Sequence, residues 1–485
     1  MKSIKSFLKN LKVIKPIVEE ICKVGGIPYL VGGSVRDLVM DIEVKDWDIE
    51  VHKISIEDLQ KTLQKFGTVS LVGAKFGVFK FTGSKLKEIL NLDLDWALPR
   101  RDTKGRKPKV EIDPTMTMKE ACRRRDLTIN AMAIDLCKLI ENLDSIKNVS
   151  DVEIVDPFDG LKDLENKILR AVDEKLFEED PLRFYRVMQF SGRFKMEPDK
   201  KLNEICKKID LTLSLQGGEI ARERIFEEIK KLFLKSKRPS IGFRWLKNLS
   251  RLKELFPELG ALDGINQRKD YHPEIDAFEH TMQSLDASAL ISVEDEQEKF
   301  MIMLAVLCHD FGKALTTDET GKSKGHSIAG IELSKNFLKR LTDDRNLIKA
   351  IPKLVRYHRM PLALVDEGAK SKAYKRLAVK LSPDVTPKQL YWVSWCDIRG
   401  RNVEGHEPLQ EGFRGGDKTL KTFLKKIKEF KVETGPEKPV LLGRHITDIV
   451  QPGPKMGKLL EKAYEIQIDE GITDVEELKQ RVLKN

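Results

Sequence analysis

Two hydrophobic periods divide this chain, and the switch between them constrains its fold more than any other feature. Within residues 27–55 and 68–98, the stretches IPYLVGG, DWDIEVHKI, FGVFKFTG and LNLDLDWAL alternate or run apolar with glycine nearby. That is the pattern of short strands. From about residue 160 onward, RIFEEIKKLFLK, FRWLKNLSRLKELF and IELSKNFLKRL repeat their apolar positions at helical spacing. The expected class is α+β, a mixed α/β head followed by a long all-α body. DPFDGLKD (156–163) reads as the joining turn. Further breaks are expected at 259–274 and 399–416, the latter rich in Gly and polar residues and expected to loop over the surface. No internal repeat is visible. A length of 485 residues exceeds what one core supports and implies two to four domains.

No apolar stretch approaches the ~18 residues that span a bilayer. The start, MKSIKSFLKNLKVIKPIVEEICKVGG, interleaves Lys with apolar residues as a basic amphipathic helix does, and lacks the apolar run of a secretory signal. Cys22, Cys122, Cys137, Cys206, Cys308 and Cys396 are scattered and form no CxxC pair. They suit buried thiols in a reducing, cytoplasmic compartment rather than a disulfide framework or a zinc site. Lys and Arg outnumber Asp and Glu by 87 to 77, which is compatible with a polyanionic partner without requiring one.

Chemistry concentrates in three places. In DWDIE (46–50), strand alternation puts Asp46 and Asp48 on one face and turns Trp47 and Ile49 to the core. Carboxylates so paired can hold two Mg²⁺ ions about 4 Å apart, one activating a hydroxyl and one clamping a triphosphate. In LVGGSVRDL (30–38), Gly32 and Gly33 admit close approach of backbone to phosphate, and Ser34 and Arg36 offer it donors. Downstream, LDLDWALPRR (92–101) sets Asp93 and Asp95 on one strand face before Arg100, and RRRDLTINAMAID (123–135) sets Arg125, Asp126 and Asn130 at the start of a helical run.

Together these residues resemble the class II tRNA nucleotidyltransferase and bacterial poly(A) polymerase superfamily over roughly residues 25–260. GGSVRD with DWD is similar to its first motif, Asp95 to Arg100 to its D-x-x-x-x-R motif, and RRDLTINAM to its third. The resemblance implies that Asp46 and Asp48 carry the metals and that Asp95 helps activate the primer hydroxyl. It further implies that Arg100, Arg125, Asp126 and Asn130 line the sugar and triphosphate.

LFEEDPLRFYRVMQFSGRF (176–194) resembles the family's E-D-x-x-R base-selecting motif through Glu179, Asp180 and Arg183. On a helix, Asp180 and Arg183 would share a face. The carboxylate accepts from the exocyclic amine of C or A and the guanidinium donates to the adjacent ring nitrogen. G and U would turn a carbonyl toward Asp180. Arg186 is expected to support the base or Glu179, and position 189 carries Gln where many relatives carry Arg. RERIFEEIKKL (222–232) resembles a later helical motif of the family.

Five of eight histidines fall between residues 272 and 358, in HPEIDAFEHT, LCHDFGKA, KGHSIAG and RYHRMP. Imidazoles with carboxylates suit divalent transition metals. This pattern resembles the HD phosphohydrolase superfamily, which implies the ligands His280, His309, Asp310 and Asp397, the last in SWCDIRGR. Lys313 fits its H-D-x-x-K phosphate contact, and His326 and His358 would complete a second metal site or contact phosphate. An inherited fold with a degenerate site is the competing reading.

These resemblances imply a nucleotidyltransferase head over 1–155, a helical neck and body over 156–265, an HD domain over 266–400 and a basic helical tail over 401–485. Lys418, Lys421, Lys425, Lys426, Lys428 and Lys431 give the tail an RNA-facing or merely solvated surface. The expected reaction is addition of C and A to tRNA 3′ ends from CTP and ATP, with an accessory phosphohydrolase. A poly(A) polymerase is the first alternative, and ILRAVDEKLFEEDPLR lacks the R-x-I-G-x-P element associated with it. CC-only or A-only addition would turn on the segment 101–121. From other classes, an RNA-end phosphohydrolase and a noncatalytic tRNA-binding scaffold remain.

Overall fold

The computed structural model describes residues 2–72, 77–81, 93–102, 110–211, 222–270, 272, 274, 276–403 and 406–483. The chain divides into two compact units, residues 1–187 with 196–209, and residues 188–195 with 210–485. Among the described residues, no helix is long and apolar enough to cross a membrane.

The first unit is built on a sheet of Ile27–Val31 (β1), Asp46–His52 (β2), Val69–Val72 (β3), Val78–Phe81 (β4), Asp93–Ala97 (β5) and Ala133–Asp135 (β6). Their order is β3-β4-β5-β2-β1-β6, with β2 and β5 parallel and the remaining pairs antiparallel. Parallel pairing at the centre puts residues of equal phase side by side, so Asp46 lies across from Asp93 and Asp48 from Asp95. Trp47 and Ile49 are buried on the opposite face. Lys2–Lys23 (α1) covers that face with Phe7, Leu11, Ile14, Val18 and Ile21 at three- and four-residue spacing, all buried in one core with Trp47 and Leu30. The Phe7 and Trp47 rings meet at 4.9 Å. Replacing Phe7 with Ala would cost about 3–5 kcal/mol through lost burial and the cavity left behind.

Two expectations change here. The run after Asp126 is helical for one turn only: Thr128–Asn130 forms a 3-10 turn, and Ala133–Asp135 then joins the sheet edge beside β1. Three residues suffice for a strand when a neighbour already offers its ladder, a tertiary effect that local spacing does not carry. Cys22 and Cys137 are joined in a disulfide across 115 residues, so the expectation of six free thiols holds for the four buried ones, Cys122, Cys206, Cys308 and Cys396. The folded sheet and α1 bring the pair together, and their sequence spacing gives no sign of it.

Leu182–Phe194 (α3) carries the division between the units. The second unit is helical. Ala277–Ser288 (α4), Glu296–Cys308 (α5), Arg345–Tyr357 (α7) and Pro387–Asp397 (α8) start at Asp276, Asp295, Asp344 and Thr386, whose side chains cap the first-turn amides. Between α5 and α7 runs His326–Leu341 (α6). A satellite core of Leu441, Ile446, Val450, Met456, Ala463, Leu478 and Val482 closes the C-terminal helices.

Candidate active site and metal centre

In the first unit, Asp46 and Asp48 remain open to solvent while Trp47 between them is buried. Lys80 Nζ lies 2.8 Å from Asp95 Oδ1. Crowding by protein raises the Asp48 carboxyl above its ordinary value; Arg125 pulls it down, while Asp95 and Asp46 push it up. Three carboxylates on one face, with one resisting ionisation, form a donor set whose charge a divalent ion would answer. The Asp93 side chain and residues 103–109 of the 101–121 segment lie outside the described residues.

Gly32 starts Gly33–Val39 (α2) at φ +73°, and a Cβ there would stand 2.5 Å from Arg125 Nη1. Glycine is therefore required twice at this position, by its backbone and by the guanidinium packed on it. A Cβ at Gly33 would meet Arg36 Nη2 at 3.3 Å.

Several side chains expected to face phosphate are hydrogen-bonded within the fold. Ser34 Oγ donates to the Asp46 carbonyl at 2.7 Å and is buried. Arg36, also buried, donates to Asp37 at 2.8 and 2.6 Å and to Asn130 Oδ1. Asn130 Nδ2 donates to Asp126 Oδ1 at 3.0 Å, and Arg186 Nε donates to Asp126 Oδ2 at 2.6 Å. A relay Asp37–Arg36–Asn130–Asp126–Arg186 thus runs through the unit. Burial would raise the Asp126 carboxyl, but Arg186 and Asn130 hold it at about 2. Arg186 pairs with Asp126.

Asp180 and Arg183, expected to share one helix face, do not both lie on the helix. α3 begins at Leu182, after Pro181, so Asp180 precedes the helix and caps it, accepting from Leu182 N at 3.0 Å. The residue before proline is sterically disfavoured from helical backbone, which is the physical reason. Arg183 donates instead to the carbonyls of Leu176 at 2.9 Å and Arg124 at 2.7 Å. Glu179 is exposed, closing the short helix Glu174–Glu178. Arg100 opens the strand Arg100–Asp102, paired with Val110–Ile112. Gln189 is buried and its Nε2 has no partner among the described residues.

The second unit brings together the ligands expected of the HD centre, most of them at helix ends. His309 and Asp310 follow α5, His358 closes α7, Asp397 ends α8, His326 opens α6 and His280 lies within α4. His280 Nε2 lies 3.2 Å from His309 Nε2, 3.1 Å from Asp397 Oδ1 and 3.4 Å from Asp310 Oδ2. Asp310 reaches His309 Nε2 at 3.1 Å, Lys313 Nζ at 2.7 Å and His326 Nε2 at 3.5 Å, and His326 Nε2 is 3.4 Å from His358 Nε2.

Backbone carbonyls set the tautomers. Nδ1 of His309, His326 and His358 donates to the carbonyl three residues earlier, at 2.6, 2.7 and 2.6 Å. His280 Nδ1 donates to Gly400 O at 2.8 Å. Each ring then turns Nε2 inward, His280 and His309 toward one group with Asp310, and His326 and His358 toward a second that shares it, an arrangement suited to metal-binding imidazoles. Burial together with His309 and His326 pushes His358 down to about 3. Burial also opposes charge on His280, yet Glu274 and Asp397 raise it to about 9. Asp310 Oδ2 is buried and receives no hydrogen bond of good geometry. Imidazole nitrogens facing one another around a buried carboxylate fit a divalent cation well.

Sequence reasoning missed three contributors. His272 and Glu274 extend the cluster, with Glu274 Oε1 at 2.9 Å from His272 Nδ1 and 3.0 Å from His280 Nδ1. Arg401 Nη2 holds Asp397 Oδ1 at 2.9 Å. The start of the 399–416 segment is consequently buried against α4 rather than looping on the surface: a Cβ at Gly400 would stand 2.0 Å from Ser284 Oγ. HPE was a usable signal for the first two, and Gly400 and Arg401 had none.

The Poly A polymerase head domain matches residues 28–170, the probable RNA and SrmB-binding site of polymerase A matches 218–262, and the HD domain matches 277–377. A "Multifunctional CCA protein" of Pasteurella multocida is 31% identical over 435 residues, 88% of this chain and 91% of that one. The chain belongs to the multifunctional CCA protein family. It is a CCA-adding nucleotidyltransferase with an HD domain. The family member of Hahella chejuensis is 34% identical over 323 residues, 64% of this chain and 68% of its own. Among solved structures, the Thermotoga maritima CCA-adding enzyme complexed with tRNA shares the fold at TM-score 0.56 and 22% identity, over 98% of this chain and 94% of that one. A CCA-adding enzyme complexed with CTP does so at TM-score 0.59 and 21% identity, over 99% and 98%.

Proposed function

We propose that this protein extends tRNA 3′ ends with C and A from CTP and ATP, releasing pyrophosphate, at the face bearing Asp46, Asp48 and Asp95. The observation that carries the reading is the parallel register of β2 and β5, which sets Asp48 across from Asp95 with Asp46 on the same face. Asp46 and Asp48 would hold Mg²⁺, which supplies Lewis acidity at the attacking hydroxyl and the triphosphate. Asp95 receives the primer hydroxyl proton. Arg125, packed on Gly32, and Arg100 meet the triphosphate. Arg36, Asp126 and Asn130 act behind them by fixing that wall. Glu179, Asp180 and Arg183 read the base once Arg183 exchanges its carbonyl partners for the ring nitrogen of C or A.

In the HD domain, His280, His309, Asp310 and Asp397 would hold a divalent transition ion, with His326, His358 and Lys313 serving a second ion or the phosphate. Such an ion lowers the pKa of water for attack on a phosphoester of an RNA end. The lysine face of Gly416–Glu429 tracks RNA phosphates. The domains follow as 1–155, 156–265, 266–400 and 401–485, acting in the cytoplasm.

The test is incubation with Mg²⁺, tRNA lacking its last three nucleotides, and each labelled nucleotide in turn. Two C and one A should be added, with U and G excluded. Long A tracts, or phosphate release without incorporation, would overturn the reading.

A further inference from the structure

β2 places four polar side chains, Asp46, Asp48, Glu50 and His52, on one face at two-residue spacing. The first two are open, and Glu50 and His52 are buried at 3% exposure each. Nothing in the chemistry above uses the buried pair, and a carboxylate so placed must be held by specific partners. Glu50 Oε1 meets His52 Nε2 at 3.0 Å, and His52 Nδ1 meets the Met116 carbonyl at 3.0 Å. The outer oxygen, Oε2, faces Arg124 Nη2 at 3.6 Å and Arg125 Nη2 at 3.9 Å. Arg125 also lies against Gly32, and its charge reaches Asp48.

We infer that Glu50, fixed by His52, is a positioning residue that orients Arg125 toward the incoming triphosphate. The inference rests on the proposed role of Arg125. Separations of 3.6 and 3.9 Å attract without locking a hydrogen bond, so Glu50 restrains the guanidinium on its inner side and leaves its donors for phosphate. His52 keeps the carboxylate from turning toward the arginines and capturing them. Glu50 itself touches neither nucleotide nor metal.

The experiment is a double-mutant cycle on nucleotide KM and kcat with the full-length protein, Mg²⁺ and shortened tRNA. Glu50→Gln keeps size and removes charge; it should raise KM for CTP and ATP about tenfold with kcat changed less than about twofold, a coupling usual for neighbouring charged groups. Arg125→Ala should raise KM at least as much. Glu50→Gln in the Arg125→Ala background should then add nothing, whereas a merely structural Glu50 would add its full cost there. Additive effects, or an unaltered KM in Glu50→Gln beside a raised KM in Arg125→Ala, would overturn the inference alone. An unaltered KM in Arg125→Ala would instead remove the proposed role of Arg125. Should Glu50→Gln not fold, His52→Gln, which releases the carboxylate without discharging it, must give a smaller KM rise that disappears in Arg125→Ala; a rise that persists there refutes the proposal.

Discussion

Asp126→Asn isolates the charge at the middle of the buried relay while preserving side-chain shape. Asp126 is 7% exposed, bonded to Arg186 at 2.6 Å and to Asn130 at 3.0 Å. Its carboxyl is held at about 2 against an ordinary 3.8. At ~1.4 kcal/mol per tenfold in proton affinity, the ionised form contributes on the order of 2 kcal/mol of stability. For a unit of this size that corresponds to a fall of about 4–8 °C in Tm. The sign is fixed by the direction of the shift. A folded pKa below the unfolded one stabilises fully above the unfolded value, and the contribution is lost as pH falls from 3.8 toward 2. Urea melts of both proteins, followed by circular dichroism at pH 7, 5, 4 and 3, should give a constant gap down to pH 5 and a narrowing gap below pH 4. No gap at pH 7, or one unchanged at pH 3, would refute the assignment of stability to this charge.

Asp46→Ala with Asp48→Ala should abolish incorporation and leave tRNA retention in a gel-shift assay within about twofold, since metal ligands and not RNA contacts are removed. Asp180→Ala should relax the exclusion of UTP and GTP by about one to two orders of magnitude in single-turnover incorporation if its carboxylate reads the base edge. If it serves only as the α3 cap, the change instead is a stability loss of ~1 kcal/mol with unaltered nucleotide choice. His309→Ala should lower metal content by elemental analysis and end phosphoester hydrolysis while incorporation persists; loss of both activities in the folded variant would contradict two separate sites.

The parts of this molecule legible in the sequence are those whose geometry is local. Asp46 and Asp48 flank Trp47 by strand alternation, and His309–Asp310 marks a buried polar step in an apolar run. The α5 run and the α1 stripe follow the same logic. What escaped was set by distant parts of the chain. Gly400 meets His280 across 120 residues, Arg186 meets Asp126 across 60, and Cys137 meets Cys22 across 115. One departure is local: Pro181 separates Asp180 from the helix that carries Arg183, which three-residue spacing alone does not register. Ser34 and Arg36 looked free because spacing identifies donors without revealing which acceptors the fold has supplied internally.

Because the imidazoles and carboxylates of the second unit come from five helices and their ends, the centre exists only when those helices are correctly assembled. An ion that recognises it must discriminate strongly between the native domain and its unfolded chain. If such an ion binds, its occupancy would become a lever on the native population, adding RT ln(1 + [M]/Kd), about 2.7 kcal/mol at a hundredfold excess over Kd. The abundance of the HD domain would follow the divalent ion supply of its surroundings, through mass action alone.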